Sequence, residues 1–442
     1  MTERVKVVTL GCDKNLVDSE IMSGLIEGKG YLLTDQDEDA SVIIVNTCGF
    51  IDAAKEESVN TILELADLKK TGNLKALIVS GCLTQRYKEV LMQEMPEIDG
   101  IVGTGDFHRI TDVVEEALRG KKPILIGNPV FNYEEVLPRK VSTAKHFAHI
   151  KIAEGCDNNC TFCSIPIMRG KFRSRSIESI VAEAEMLASQ GVKEISLIAQ
   201  DSTNYGSDLY DTFMLPTLLN KVSEVPGIEW VRLHYAYPGF FTDELIDVIA
   251  SNPKVCKYID MPLQHSEDLI LKRMRRPGRQ RDARELIAKI RSRIPDVAIR
   301  TSLIVGFPGE TEEDFENLCR FVEEMRFDRL GVFAYSLQED TPAARLPGHL
   351  PDEVKEYRAA TLMELQRSIA SEINGSKVGK VLDVLVERYD GRNDVYIGRT
   401  QYDAPEIDGE VFVRANNASI GTIMPVRITH AYEYDLSGVG IA

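Results

Sequence analysis

The chain has 442 residues, of which 43% are apolar and 27% are charged, and its net charge is −17. This composition is typical of a globular protein, and the length predicts about three domains. We find no apolar stretch long enough to span a membrane and no signal peptide, so we expect a cytoplasmic protein. Eight cysteines without a secretory signal predict reduced thiols and metal binding rather than disulfides. The acidic balance argues against a surface that coats nucleic acid.

Three apolar, β-branched segments near the amino terminus each end in a cysteine: Val5–Cys12, Ser41–Cys48 and Lys75–Cys82. Helical patterns separate these predicted strands, so residues 1–120 should form a parallel α/β domain. The carboxyl ends of parallel strands share one edge of the sheet, where Cys12, Cys48 and Cys82 should therefore converge. Separate buried thiols are the alternative. Three thiols in the same position favour a three-thiolate metal site.

Residues 142–374 predict a second α/β domain with six strands alternating with helices. The strands are predicted at Ala148–Ala153, Glu194–Ala199, Trp230–His234, Lys257–Met261, Ala298–Val305 and Leu330–Tyr335. Six such units predict a partial (β/α)6 barrel, with its chemistry at the carboxyl ends of the strands. The glycines of the loop Gly306–Thr311 allow close approach of a ligand, and the alternative is a plain turn into a helix that Thr311 caps.

Cys156, Cys160 and Cys163 form a Cys-x3-Cys-x2-Cys run directly after the first of these strands. Three thiolates on one loop can bind three irons of a 4Fe-4S cluster and leave the fourth iron open for chemistry. A non-enzymatic iron–sulfur scaffold or electron carrier would normally close its cluster with a fourth ligand. A zinc protein is a further alternative, which the lack of a fourth cysteine disfavours. Cys256 and Cys319 are predicted to be core residues.

Residues 375–442 contain short β-rich pieces separated by Gly, Asn and Asp, which predict a small β-barrel of the oligonucleotide-binding type. The strands are predicted at Val381–Glu387, Val395–Arg399, Glu410–Val413, Thr422–Ile428 and Ala431–Leu436. This tail has a net charge of −3, which favours a basic protein over RNA as its partner. We therefore do not expect the tail to bind RNA directly. Asp403, Glu406 and Asp408 lie in a Pro-containing loop, where we expect them to be exposed.

The segment Gly155–Arg175 resembles the signature of the radical S-adenosylmethionine superfamily, with Phe162 just before its last cysteine. Together with Cys12, Cys48, Cys82 and the β-rich tail, it makes the whole chain similar to the methylthiotransferases. Their domain order is an amino-terminal methylthiotransferase domain, a radical core and a TRAM domain. The segment Gly11–Glu20 resembles the branch that modifies ribosomal protein S-twelve, whereas the transfer-RNA branch typically has Gln-Met-Asn after the cysteine.

This resemblance implies two 4Fe-4S clusters and S-adenosylmethionine. Cys156, Cys160 and Cys163 would hold the cluster whose open iron binds S-adenosylmethionine. One electron, from an electron donor, then cleaves it to methionine and a 5′-deoxyadenosyl radical, which removes hydrogen from an unactivated carbon. Cys12, Cys48 and Cys82 would hold an auxiliary cluster that carries the transferred sulfur.

The implied product is methylthio on the β-carbon of an aspartate in ribosomal protein S-twelve. The same reaction on a modified adenosine of transfer RNA is the alternative. Phe162 is a candidate to pack beside the cofactor, although an aromatic there fits the core equally. Gln200, Gln264 and Arg300 lie near predicted strand ends and are candidates to bind polar groups of the cofactor, the alternative being solvated loop side chains.

Overall fold

The structure is a computed structural model that describes residues 3–131, 135–276 and 280–441. The chain divides into two compact units. Unit 1 comprises residues 1–142, 151–179 and 336–344, and unit 2 comprises residues 143–150, 180–335 and 345–442. Within the described ranges, no helix is both long and apolar enough to cross a membrane.

The amino-terminal part of unit 1 is a six-stranded sheet in the order β2-β1-β3-β4-β5-β6. Every pair of neighbouring strands in it is parallel. Its strands are β1 Arg4–Thr9, β2 Leu32–Leu33, β3 Val42–Thr47, β4 Ala76–Gly81, β5 Gly100–Val102 and β6 Ile124–Leu125. Its helices are α1 Asp13–Gly28, α2 Asp52–Ala66, α3 Leu68–Thr71, α4 Cys82–Tyr87, α5 Glu89–Glu94 and α6 Ile110–Leu118. The predicted parallel α/β domain is confirmed.

The central strands of this sheet are continuous apolar runs because helices cover them. All six residues of β3 and all six of β4 are buried. Ile43, Val45 and Leu77 pack in one core with Ile62 and Leu65 of α2. Strands buried on both faces read as uninterrupted hydrophobic segments rather than as alternating ones.

The next stretch contains the predicted six strands, which form two three-stranded sheets in the orders β11-β10-β7 and β12-β13-β14. The pairs β10–β11, β12–β13 and β13–β14 are parallel. In chain order the elements are β7 Phe147–Lys151, β8 Ala153–Glu154, α7 Ile165–Arg169, β9 Arg173–Ser174, α8 Ile177–Ser189, β10 Glu194–Ile198, α9 Leu215–Ser223, β11 Trp230–Leu233, α10 Asp243–Ser251, β12 Tyr258–Asp260, α11 Asp268–Arg273, α12 Gln280–Arg293, β13 Ala298–Val305, α13 Glu312–Met325, β14 Arg329–Ala334 and α14 Asp352–Gly375.

Each predicted strand of this region is found within a few residues of its predicted position, so the α/β fold class is confirmed. Thr311 caps α13, as predicted. Its hydroxyl accepts a hydrogen bond from the Asp314 backbone N–H at 3.1 Å, while the Asp314 carboxylate accepts one from the Thr311 backbone N–H at 2.9 Å. This reciprocal arrangement satisfies two amide donors at the start of the helix.

The carboxy-terminal strands close into a five-stranded barrel in the order β15-β16-β17-β19-β18. They are β15 Val381–Asp390, β16 Val395–Thr400, β17 Val411–Arg414, β18 Ile423–Ala431 and β19 Leu436–Gly440. The predicted small barrel is confirmed, but the prediction of its last strand at Ala431–Leu436 is wrong. A Cβ atom at Gly438 would lie 2.5 Å from the Arg427 carbonyl, and one at Gly440 would lie 2.5 Å from Met424. Close packing inside the barrel therefore selects a glycine-containing strand that β-propensity does not indicate.

The expectation that Asp403 and Asp408 are exposed is also wrong. Asp403 is 2% exposed, and its carboxylate pairs with Arg329 of the core. The Asp408 carboxylate accepts a hydrogen bond of 2.7 Å from the Tyr258 hydroxyl. The loop that follows β16 packs into unit 2, where Ala404 lies among apolar core residues. Only Glu406 of the three acids is exposed. The domain boundaries at 120, 142 and 374 remain predictions.

Candidate metal centres

Cys12, Cys48 and Cys82 lie just beyond the carboxyl ends of three neighbouring strands. In the parallel register, Thr9 of β1 lies opposite Asn46 of β3, and Thr47 of β3 lies opposite Gly81 of β4. The three strands therefore end at the same edge of the sheet, the edge at which ligands bind in parallel α/β folds. Cys12 is exposed, Cys48 is half-buried and Cys82 is buried, so the group lies at the surface of unit 1.

Two glycines allow the three chain segments to come this close. Gly11 has a φ of +90°, and a Cβ atom there would lie 2.7 Å from the Cys48 Cβ. Gly81 has a φ of +100°, and a Cβ atom there would lie 2.5 Å from the Thr47 carbonyl oxygen. Both positions require a left-handed backbone and a missing side chain, which only glycine supplies.

Asn15 joins the ends of the strands. Its side-chain amide donates to the Leu10 carbonyl at 2.9 Å and to the Thr47 carbonyl at 3.0 Å. The Cys82 sulfur lies 3.8 Å from the Asn15 side-chain oxygen. Sequence reasoning missed Asn15, although its position in the first turn of α1, directly after Cys12, is a usable signal.

The electrostatic environment sets how easily these thiols ionise. Burial raises the pKa of Cys82 to about 12, against the opposing effect of the Arg169 guanidinium, and the proximity of two further cysteine side chains raises it further. Burial also raises the pKa of Cys48. Both thiols are therefore protonated near neutral pH, and a metal that binds them must displace protons.

The second cysteine loop runs from Gly155, just after β8, to the start of α7. The Cys156 N–H donates to the Gly170 carbonyl at 3.1 Å, and the Cys163 N–H donates to the Cys160 carbonyl at 3.1 Å. Gly155 has a φ of +73°, and a Cβ atom there would lie 2.1 Å from the Lys171 carbonyl oxygen. The backbone thus closes the loop on itself, and Cys156, Cys160 and Cys163 are all half-buried.

A third segment of unit 1, residues 336–344, contacts both cysteine loops. The Arg86 guanidinium donates to the Gly49 carbonyl at 2.9 Å and to the Gln338 side chain at 2.8 Å. The Ala343 N–H donates to the Thr161 carbonyl at 2.9 Å. This segment is far from both loops in sequence, which is why sequence reasoning missed it.

The six cysteines supply the thiolate donors that two iron–sulfur clusters require. In a cubane cluster each cysteine binds a different iron, so the thiols need not crowd a single point. Thiolate sulfur is the usual protein ligand of iron–sulfur clusters, although it also binds zinc and copper(I).

The other residues that the sequence analysis singled out lie in different environments. Cys256 is buried in the core beside Trp230 and Tyr258, as predicted, whereas Cys319 is half-buried on α13. Arg300 does not fit a cofactor contact, because it lies at the amino end of β13 and donates to Asp260 at 3.1 Å.

Three cofactor-contact candidates remain predictions. Gln200 and Gln264 follow β10 and β12, and the Gln200 side-chain oxygen is buried without a hydrogen-bond partner among the described residues. An unsatisfied buried acceptor of this kind needs a partner. Phe162 is half-buried, and its role beside a cofactor also remains a prediction.

A parallel α/β core that carries a Cys-x3-Cys-x2-Cys loop after its first strand defines a radical S-adenosylmethionine enzyme. The model of the radical SAM superfamily matches residues 150–322. The model of the uncharacterized protein family UPF0004 matches residues 4–103, which contain Cys12, Cys48 and Cys82. The TRAM domain model matches residues 378–441.

Full-length relatives identify the family. The chain is 51% identical over 436 residues to the ribosomal protein uS12 methylthiotransferase RimO of Clostridioides difficile, covering 98% of each chain. It is 49% identical over 441 residues to the RimO protein of Heliobacterium modesticaldum, covering 100% of this chain and 96% of that one. The chain belongs to the family of ribosomal protein uS12 methylthiotransferases, RimO. The predicted resemblance is confirmed, and the protein is a methylthiotransferase.

Solved structures share the fold. The radical S-adenosylmethionine methyltransferase TsrM of Kitasatospora setae, solved with cobalamin and a [4Fe-4S] cluster, matches with a TM-score of 0.57 at 15% identity. The match covers 87% of this chain and 81% of TsrM. The cobalamin-dependent radical enzyme OxsB matches with a TM-score of 0.55 at 11% identity, over 83% of this chain and 56% of OxsB.

Proposed function

We propose that this protein acts in the cytoplasm and places a methylthio group on the β-carbon of an aspartate in ribosomal protein uS12. It would use S-adenosylmethionine, two 4Fe-4S clusters and an external electron donor. The observation that carries the proposal is the pair of cysteine triads, one at the edge of a parallel sheet and one on a closed loop. Identity of about half over the full length of RimO relatives supports the substrate.

Each triad has its own task in this proposal. Cys156, Cys160 and Cys163 would hold the cluster that binds S-adenosylmethionine, and Cys12, Cys48 and Cys82 would hold the auxiliary cluster. When bound, these groups supply electron transfer, hydrogen removal from carbon and the sulfur, none of which side chains perform by acid–base chemistry. The chain supplies six thiolates, glycines that let the loops approach, and amide donors that fix their geometry.

The test replaces one triad at a time in the full chain, after anaerobic reconstitution. Cys156→Ala with Cys160→Ala and Cys163→Ala should halve the bound iron and abolish 5′-deoxyadenosine formation. Cys12→Ala with Cys48→Ala and Cys82→Ala should also halve the iron, but should retain 5′-deoxyadenosine formation and lose methylthio product. Cys319→Ala is the matched control and should change neither. Methylthio product from the second triple variant, or unchanged iron in either, contradicts the assignment.

The substrate is tested by competition. Reductant, S-adenosylmethionine, uS12 and transfer RNA are combined in one reaction, and both products are analysed by mass spectrometry. We expect methylthio only on the uS12 aspartate, and no retention of transfer RNA in a direct binding assay. Methylthioadenosine in the transfer RNA would instead establish the alternative substrate. Omitting the reductant should abolish both 5′-deoxyadenosine and product.

A further inference from the structure

Arg169 is a buried arginine that belongs to one cysteine loop and reaches the other. It is the last residue of α7, the short helix that begins just after Cys163, and it is 2% exposed. Its guanidinium donates to the Asn15 side-chain oxygen at 2.6 Å and to the Asp18 carboxylate at 2.9 Å. Asn15 in turn contacts the Cys82 sulfur at 3.8 Å. The helix that leaves one triad therefore ends beside the other.

The two buried carboxylates Asp18 and Glu154 need two cations, and charge alone does not decide whether the second cation is a lysine or an arginine. Lys151 is fully buried and pairs with both carboxylates near Arg169, those of Asp18 and Glu154. Arg169 adds a second cation to the same two anions, at 2.9 Å from Asp18 and 3.3 Å from Glu154. A lysine is a point charge, whereas an arginine has five donors in a planar fork and can serve several acceptors at once. The extra donors of Arg169 point to an acceptor beyond the carboxylates.

That acceptor is the Asn15 side-chain oxygen, which also lies 3.8 Å from the Cys82 sulfur. Burial is the main reason why the pKa of Cys82 is raised, and the nearby Arg169 guanidinium opposes it. The charge around an iron–sulfur cluster is one of the factors that set its reduction potential. Replacing a residue that contacts and orients a metal ligand commonly causes a large change in metal affinity or activity.

We propose that Arg169 is a positioning residue whose buried guanidinium, held near the Cys82 sulfur by its hydrogen bond to Asn15, raises the reduction potential of the auxiliary cluster. The proposal rests on the proposed function, because it requires a cluster on Cys12, Cys48 and Cys82. A cation near the sulfur stabilises the additional negative charge of the reduced cluster. Removing this cation disfavours reduction, so the reduction potential falls.

The experiment uses the full chain with Cys156→Ala, Cys160→Ala and Cys163→Ala, so that only the auxiliary cluster is reconstituted. Its reduction potential is measured by a redox titration followed by electron paramagnetic resonance. In this background Arg169→Met should lower the reduced-to-oxidised ratio at a fixed applied potential about tenfold, which is about 59 mV for a one-electron couple. Arg169→Lys keeps the charge but loses the fork, and its shift should be smaller and in the same direction.

Arg175→Lys is the matched control. Arg175 is also buried, and it donates to the Lys151 carbonyl and to the Ser179 hydroxyl, both at 2.8 Å. Its replacement should leave the potential and the resonance spectrum unchanged. If the Arg169→Met variant binds no iron, the shift of the reduction potential in the Arg169→Lys variant tests the inference. An unchanged potential in a cluster-loaded Arg169 variant overturns the inference. Failure of the parent background to bind any cluster overturns the proposed function instead.

Discussion

The buried pair of Asp403 and Arg329 should hold the β-barrel to the core within unit 2. The two side chains are only 3% and 7% exposed. Asp403 also accepts a hydrogen bond of 2.6 Å from the Thr400 hydroxyl, and its backbone carbonyl accepts one of 3.0 Å from Arg399. Burial by itself would raise the pKa of Asp403, but Arg329 and Lys377 lower it below its usual range. The carboxylate is therefore charged, and its charge is needed.

Asp403→Asn removes one charge and leaves Arg329 buried with a weaker counter-ion, the Asp408 carboxylate at 4.0 Å from its Nε. Removing one partner of a buried ion pair costs about 3–5 kcal/mol, whereas an exposed pair contributes about 0.2–1 kcal/mol. Asparagine keeps the shape of the side chain and one hydrogen-bond acceptor, so we expect a loss of stability at the lower end of this range, about 3 kcal/mol. At 1.4 kcal/mol for each factor of ten, amides of β14 and β16 should exchange about a hundredfold faster.

The assay is hydrogen exchange measured by mass spectrometry on the folded chain, which avoids a global two-state analysis of a chain with several domains. Glu406→Gln is the matched control, because Glu406 lies in the same loop and is exposed. The double variant Asp403→Asn with Arg329→Met should recover part of the protection, since it removes the weakly paired charge. Equal exchange in Asp403→Asn and Glu406→Gln would refute the reasoning.

Three further predictions concern individual residues. Burial would raise the pKa of Glu194, but Arg232 and Arg399 lower it from 4.5 to about 2. The contribution of the Glu194 carboxylate to the stability of the folded protein is therefore complete above the unfolded pKa and is lost as the pH falls from 4.5 toward 2. The fluorescence of the single tryptophan, Trp230, will report this loss. Glu194→Gln should lose this part of the pH dependence. Thr311→Ala should destabilise the start of α13 by about 1 kcal/mol in hydrogen exchange, because it removes the cap. Burial raises the pKa of Cys256 to about 12, so iodoacetamide should not modify it until the protein is unfolded, as mass spectrometry can show.

The edge of the amino-terminal sheet could be predicted because its signals are local. The β-branched runs of β3 and β4 end at a cysteine, and parallel pairing then brings their ends together. The cysteine spacing of the second loop is likewise a short-range signal. Both depend on residues that are close in sequence or on a rule of topology.

The residues that support the site could not be predicted in the same way. Arg169 meets Asn15 across 154 positions of sequence, and Arg86 meets Gln338 across 252. Neither pair has a periodicity or a motif that joins its members. The exposure of Asp403 was mispredicted for a related reason, since a loop with proline and acids is typical of the surface until a buried arginine from a distant strand pairs with it.

The inward acids also change the electrostatic argument for the tail. Glu387, Asp403 and Asp408 bind Arg399, Arg329 and Tyr258 inside unit 2, rather than facing solvent. Without these three acids and Arg399, residues 375–442 keep six Lys or Arg and seven Asp or Glu, a net charge of −1. A field this weak neither attracts a basic protein strongly nor repels phosphate. If the barrel recognises uS12, as we propose, this recognition depends on individual contacts at its surface. Salt should accordingly weaken the binding of uS12 much less than a net charge of −3 implies.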